Sequence, residues 1–347
     1  MDANPVRFFG LGLDERIAHV RRHLAGFLGA EPESAALVPN ASSGVTIALR
    51  SLDLRPGDEI VTTNHGYGAV TLAVADACTY TGAISRVVEL PAAPEDSDVV
   101  AALEAAVSDR TRLVIVDEIT SPTARRFPVG RIVAALRGSG AAVLVDGAHA
   151  PGICAQPVAE IGADFWVGNL HKWAYAPRPT ALLAVAPRWR DRVRPAIVSW
   201  HHPDGYPAKV EWQGTLDYTP WLAAPAGLYT LRALGLDAVR AHNADLATYG
   251  QHVIADALGI DAADLPHPTA EPMPMRVVPL PPGIAETYEE TVQLRRRISD
   301  ELATEVAINP WPGGGLLRIS AQVYNRAEEY VRLGDGLARL LASEADR

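Results

Sequence analysis

Lysine is almost missing from this chain of 347 residues. Lys172 and Lys209 are the only two among 31 lysine and arginine residues. Such a bias gives each lysine a meaning, because an amine can lose its proton and a guanidinium effectively cannot. Cysteine is as scarce, and Cys78 and Cys154 have the spacing of neither a metal site nor a disulfide framework. No apolar run is long enough to span a bilayer, and the first residues carry no signal-peptide apolar region. These absences point to a reducing cytoplasm as the working compartment. No Gly-x-Gly-x-x-Gly follows a strand, which counts against a nicotinamide oxidoreductase. Positive charge is in deficit, and a formal net charge of -10 argues against nucleic-acid or anionic-membrane partners. Internal repeats and low-complexity segments are absent.

What is present is ordinary in bulk: 48% hydrophobic and 21% charged residues, in a chain long enough for one large core and a smaller lobe. Apolar runs alternate with amphipathic stretches. Strands are expected over 59–63, 84–90, 113–117, 143–146 and 180–186, with helices over 13–28, 45–52, 69–80, 99–107 and 129–137 between them. That β-α-β alternation predicts an α/β fold, a mostly parallel mixed sheet sandwiched by helices. A long helix over 237–258 opens a smaller C-terminal α/β lobe with strands over 275–280 and 316–323. Residues 14–235 are expected to form the large domain. Residues 1–13 and 236–347 are expected to form the small one.

The chain is organised around residues 143–173. One apolar run ends at Asp146-Gly-Ala-His149-Ala-Pro-Gly. A second ends at Asn169-Leu-His171-Lys172-Trp. Buried parallel strands read as short apolar runs, and ligands sit at their C-terminal ends. Asp146, His149, Asn169, His171 and Lys172 are therefore expected at one crevice. An acid and a lysine at neighbouring strand ends fit pyridoxal 5'-phosphate. That cofactor needs an amine for its Schiff base and a carboxylate to keep its ring nitrogen protonated.

Other segments add candidates. Ser42-Ser43-Gly44 at a helix start makes an anion site from free N–H groups and hydroxyls, although a plain helix cap would use the same residues. Asn64-His65-Gly-Tyr67-Gly follows a strand, and an aromatic ring there would stack on the cofactor. Tyr67 is the first choice, for stacking or proton transfer, and His65 the second. Arg318 lies in a strand, and its planar fork suits a bidentate carboxylate contact. His201-His202 looks like a metal pair, but adjacent residues of a strand point apart and no further ligand cluster lies nearby, so no metal is expected.

Val-Asp146-Gly-Ala-His149-Ala-Pro-Gly and Gly-Asn169-Leu-His171-Lys172-Trp resemble the class V aminotransferase superfamily, and within it the isopenicillin N epimerase-like branch. The match runs in order from about Phe8 to the C-terminal helix. It implies the fold type I architecture, dependence on pyridoxal phosphate and a homodimer with a shared active site. It implies phosphate contacts at Ser42 and Ser43, and at Thr215 reaching across to the partner. It implies that Arg318 takes the carboxylate of a small amino-acid substrate. The chain departs from the branch at Asn64 and Gly66, where acids are frequent, and at Pro179, where glycine is. Glu118 stands where histidine is common; it could act on substrate protons or bind an arginine, and both stay open.

The resemblance implies chemistry at Cα or Cβ of an amino acid through a Lys172 Schiff base, in a biosynthetic, secondary-metabolite setting. C–S cleavage of a cysteine S-conjugate or epimerisation leads. Transamination, decarboxylation and deamination are the alternatives. The loop 309–315 before the Arg318 strand holds no cysteine, so no persulfide carrier is evident there. A catalytically inactive binding protein of the same fold is the reading from another class, and the intact set of Asp146, Lys172 and Arg318 argues against it.

Overall fold

The computed structural model describes residues 3–270 and 272–345. The chain divides into two compact units. The first takes the chain up to Glu89, Asp96–Ile119 and Phe127–Leu234; the second takes Leu90–Glu95, Thr120–Arg126 and the chain from Gly235 onward.

The first unit is built on seven strands: β1 (Ala35–Val38), β2 (Glu59–Thr63), β3 (Ile84–Val88), β4 (Thr111–Asp117), β5 (Ala142–Asp146), β6 (Phe165–Asn169) and β7 (Ala181–Val185). Their order across the sheet is β1-β7-β6-β5-β4-β2-β3. Pairs β3-β2, β2-β4, β4-β5 and β5-β6 are parallel, and β7 is antiparallel to both β6 and β1. Strands β5, β6 and β7 are buried along their whole length. That explains their lack of polar alternation, since helices cover both faces of such a sheet. Register sorts the side chains. Ile115 lies opposite Leu144 and Asp117 opposite Asp146. Leu144 in turn lies opposite Phe165, and Asp146 opposite Val167.

Against this face packs the helix Ala41–Ser51, whose Val45, Ile47 and Ala48 join one core with Leu113, Ile115, Leu144, Phe165 and Val167. The approach is close at Gly44, where a Cβ would stand 2.5 Å from Cγ2 of Val167. The helix begins ahead of the expected residue 45 because the Asn40 side chain caps it, accepting the Ser43 N–H at 2.9 Å. A helix that the sequence pattern does not announce runs over Thr219–Leu234, with Pro225 inside it.

In the second unit β8 (Met275–Pro279), β9 (Ala307–Asn309) and β10 (Leu316–Ser320) form an antiparallel sheet in the order β8-β10-β9. Helices Leu236–Ala257, Tyr288–Leu302 and Ala327–Ala345 complete it. Ile254, Leu294, Ile298, Leu317 and Leu337 lie in its core. Thr287 and Glu290 cap the middle helix reciprocally. Large helix-flanked sheet and small α/β unit together are the expected fold class. Among the described residues no helix is long and apolar enough to cross a membrane.

Candidate active site

The site of the first unit lies where β4, β5 and β6 end. Asp146 is the last residue of β5 and 2% exposed. One of its oxygens accepts the Ala148 N–H at 2.9 Å, so the turn after the strand holds the carboxyl in place. Three residues after Asp146 comes His149, also buried. Its Nδ1 is 3.2 Å from the Ile119 carbonyl, and its Nε2 is 2.9 Å from Nζ of Lys172. Lys172 sits in the short helix Leu170–Trp173 directly after β6. Its ammonium lies 5.9 Å from the centroid of the Tyr67 ring, and Tyr67 stands at the cap of the helix Gly68–Thr81 with its ring partly exposed. Asp146, His149, Lys172 and Tyr67, which the sequence scatters over a hundred positions, are thus brought together.

Asn169 closes the site on another side. Its Oδ1 accepts the Ala41 N–H at 2.8 Å, tying the end of β6 to the start of the helix Ala41–Ser51. Ser42 and Ser43 occupy the first turn of that helix. They differ in what they have left to offer. The Ser43 N–H and hydroxyl both go to Asn40 Oδ1, at 2.9 and 3.1 Å. Among the described residues the Ser42 N–H has no protein acceptor. Helix N-termini carry partial positive charge, so this turn suits an anion.

The remaining candidates lie less centrally. His65 is fully buried, its ring 5.2 Å from that of Phe127. His171 Nδ1 faces the backbone of Thr180, 3.1 Å from its carbonyl. Burial and the neighbouring Lys172 and Arg178 charges lower the His171 pKa, against a raising contact from Thr180. Thr215 is exposed in the loop between helices Ala208–Glu211 and Thr219–Leu234. Arg318 belongs to the second unit, where its Nη1 donates to the carbonyl and the hydroxyl of Ser121, at 2.6 and 2.8 Å. His201 turns to carboxylates, with Nδ1 2.5 Å from Asp204 and Nε2 3.4 Å from Asp14.

Glu118 is resolved differently from either open alternative. It is buried and accepts the indole N–H of Trp166 at 3.0 Å. Sequence reasoning passed over Asp117, which ends β4 as Asp146 ends β5 and lies opposite it in the ladder. The signal was available: Val-Ile-Val-Asp117 and Val-Leu-Val-Asp146 share one pattern. Burial, and then the charge of Asp146, raise the Asp117 pKa well above the carboxylate range, with Lys172 opposing. Burial raises that of Asp146 too, opposed by the Ala148 N–H and by Lys172.

The donor set suits pyridoxal phosphate. It offers an amine, a buried carboxyl on the strand beside it, an aromatic ring over the amine, and a helix N-terminus with an unused N–H. The comparisons agree. The profile of the family described as Aminotransferase class-V matches residues 8–333. The isopenicillin N epimerase of Amycolatopsis lactamdurans is 31% identical over 98% of this chain and 89% of that protein. A probable chloroplastic L-cysteine desulfhydrase of Arabidopsis thaliana is 28% identical over 97% of this chain and 77% of that protein. In structure, the cystine C-S lyase C-DES in complex with cysteine persulfide superposes with a TM-score of 0.76, at 20% identity, covering 94% of this chain and 87% of that one. A cysteine desulfurase from Thermococcus onnurineus NA1 gives a TM-score of 0.75 at 19% identity, over 95% and 84% of the two chains. A lysine beside a buried acid at the sheet's edge and a family match over nearly its whole length have one meaning: the chain belongs to the class V aminotransferases, enzymes of fold type I that depend on pyridoxal 5'-phosphate.

Proposed function

We propose that the enzyme cleaves the Cβ–S bond of a cysteine S-conjugate, releasing a thiol, pyruvate and ammonium. The observation that carries this reading is the 2.9 Å contact between Lys172 Nζ and His149 Nε2. Pyridoxal phosphate, when bound, supplies an electron sink for the pair left at Cα, held open by a protonated ring nitrogen opposite Asp146. Lys172 is the base that takes the Cα proton. His149 orients that amine by accepting one of its hydrogens. As Cα loses its proton, the electron pair forms a Cα–Cβ double bond and the C–S pair departs with sulfur. The exposed phenol of Tyr67 is placed beside Lys172 to return a proton to the leaving thiolate. Water then hydrolyses the released enamine to pyruvate and ammonium.

The other assignments follow the same reading. Ser42, Ser43 and the helix N-terminus take the phosphate, and Asn169 holds that helix to β6. His65 and His171 back the ring and Lys172 from the strand ends, and Arg318 takes the substrate carboxylate. A homodimer completes the site, with Thr215 reaching the phosphate of the partner subunit.

Epimerisation is the second reading, favoured by the epimerase relative at 31% identity. Both begin with the same proton transfer and diverge afterwards. Incubating the reconstituted enzyme with a panel of L-cysteine S-conjugates in deuterium oxide separates them. Pyruvate formation at the rate of thiol release supports cleavage. Deuterium at Cα without pyruvate overturns it in favour of epimerisation.

A further inference from the structure

The acid that this reading leaves unused is Asp117. It is 5% exposed, and Asp146 beside it is 2% exposed. Opposed residues of neighbouring parallel strands stand about 4.8 Å apart and point to the same face, so the two carboxyls are adjacent. Asp146 has the Ala148 N–H as a donor. Oδ2 of Asp117 lies 3.9 Å from where a Cβ on Gly66 would be, so the turn after β2 closes over it. Lys172, from the helix after β6, is the cation that acts on both acids. The other titratable side chains on the elements packed here are His65 after β2, Tyr67 at the next helix cap and His149 after β5. Two carboxylates against one ammonium, all away from water, leave one negative charge too many.

We propose that Asp117 and Asp146 share one proton, with Asp117 the acid that donates it in a hydrogen bond to Asp146, so that Asp146 remains the single carboxylate presented to the cofactor's ring nitrogen. Asp117 is then a positioning residue, and the proposal rests on the cofactor role given to Asp146 above. Burial and the neighbouring charge both push Asp117 further toward its neutral form than Asp146.

The sign of the linkage makes this measurable without turnover. A carboxyl whose pKa is raised by folding contributes stability that is present below the unfolded value near 3.8 and is lost as pH rises towards the folded one. Asp117→Asn keeps the shape and a donor while removing that titration. In urea unfolding of the cofactor-free protein, the unfolding constant of the wild type relative to Asp117→Asn should rise about tenfold per pH unit between pH 5 and 7. Asp117→Asn should also bind pyridoxal phosphate within about threefold of wild type, whereas Asp117→Ala, which has no donor, should bind it more than tenfold more weakly.

A ratio that stays flat with pH shows Asp117 ionised and overturns the proposal. So does an Asp117→Ala protein that binds the cofactor as wild type does. Should Asp117→Ala fail to fold, the pH profile of Asp117→Asn decides alone. If the wild type itself takes up no cofactor at Lys172, the cofactor reading falls, yet the pH profile still tests the shared proton.

Discussion

His149 stands between Lys172 and the backbone, with Nε2 2.9 Å from the amine and Nδ1 3.2 Å from the Ile119 carbonyl. A carbonyl only accepts, so Nδ1 carries the ring proton and Nε2 offers its lone pair to Lys172. His149→Ala removes this contact. The exchange of the Cα proton with solvent should slow about a hundredfold while KM moves little. Lys172→Ala should abolish that exchange. Undiminished exchange in His149→Ala would show that the imidazole does not orient the base.

Gly44 sets how closely the phosphate-binding helix approaches β6. Adding a Cβ brings it to 2.5 Å from Cγ2 of Val167, so Gly44→Ala should destabilise the protein by about 1–3 kcal/mol. It should also weaken cofactor binding, because the helix start carries Ser42 and the Asn169 contact. Val167→Ala in the same chain makes room and should restore most of both. Thermal melts and cofactor titrations of the single and double variants check this.

Glu59 at the start of β2 receives the Ser108 hydroxyl at 2.6 Å, Arg110 at 2.8 Å and Arg86 at 3.2 Å. The Ser108 hydrogen bond, then those from Arg110 and Arg86, outweigh desolvation and hold its pKa down at about 2 from an ordinary 4.5. A depressed folded pKa contributes stability that is complete above the unfolded value and lost as pH falls through the folded one. Glu59→Gln should therefore lose stability at neutral pH and show a shallower decline than wild type between pH 4.5 and 2. Parallel acid-unfolding curves for the two proteins would refute this.

Arg318 is held through Nη1 by Ser121, which sets the plane of the guanidinium. Lysine keeps the charge and loses the fork. Arg318→Lys should raise KM for an amino-acid substrate about tenfold or more and alter cofactor binding little. An unchanged KM would take the substrate carboxylate away from Arg318.

Much of this was legible in the chain itself. The strands that carry the site are short apolar runs with polar ends, and Asp146 and Lys172 stand just where those runs stop. Lysine's rarity singled out Lys172 before any geometry was known. Other elements were hidden for identifiable reasons. β1 has four residues and β9 three, too few for a period to show. The helix Thr219–Leu234 contains Pro225, which reads as a break. It is held by burial of Trp221, Ala224, Leu228 and Leu231, an effect of packing that no local propensity displays.

Composition and local pattern by themselves determined the alternating α/β order, the cofactor class and the lysine that serves it, because these depend on residue type and on neighbours along the chain. Only the tertiary structure decided who stands next to whom. It gave Glu118 to Trp166, His149 to Lys172 and Asp117 to Asp146. Those partnerships arise from strand register and helix placement across dozens of residues, and charge states in a buried site follow such neighbours more than they follow sequence.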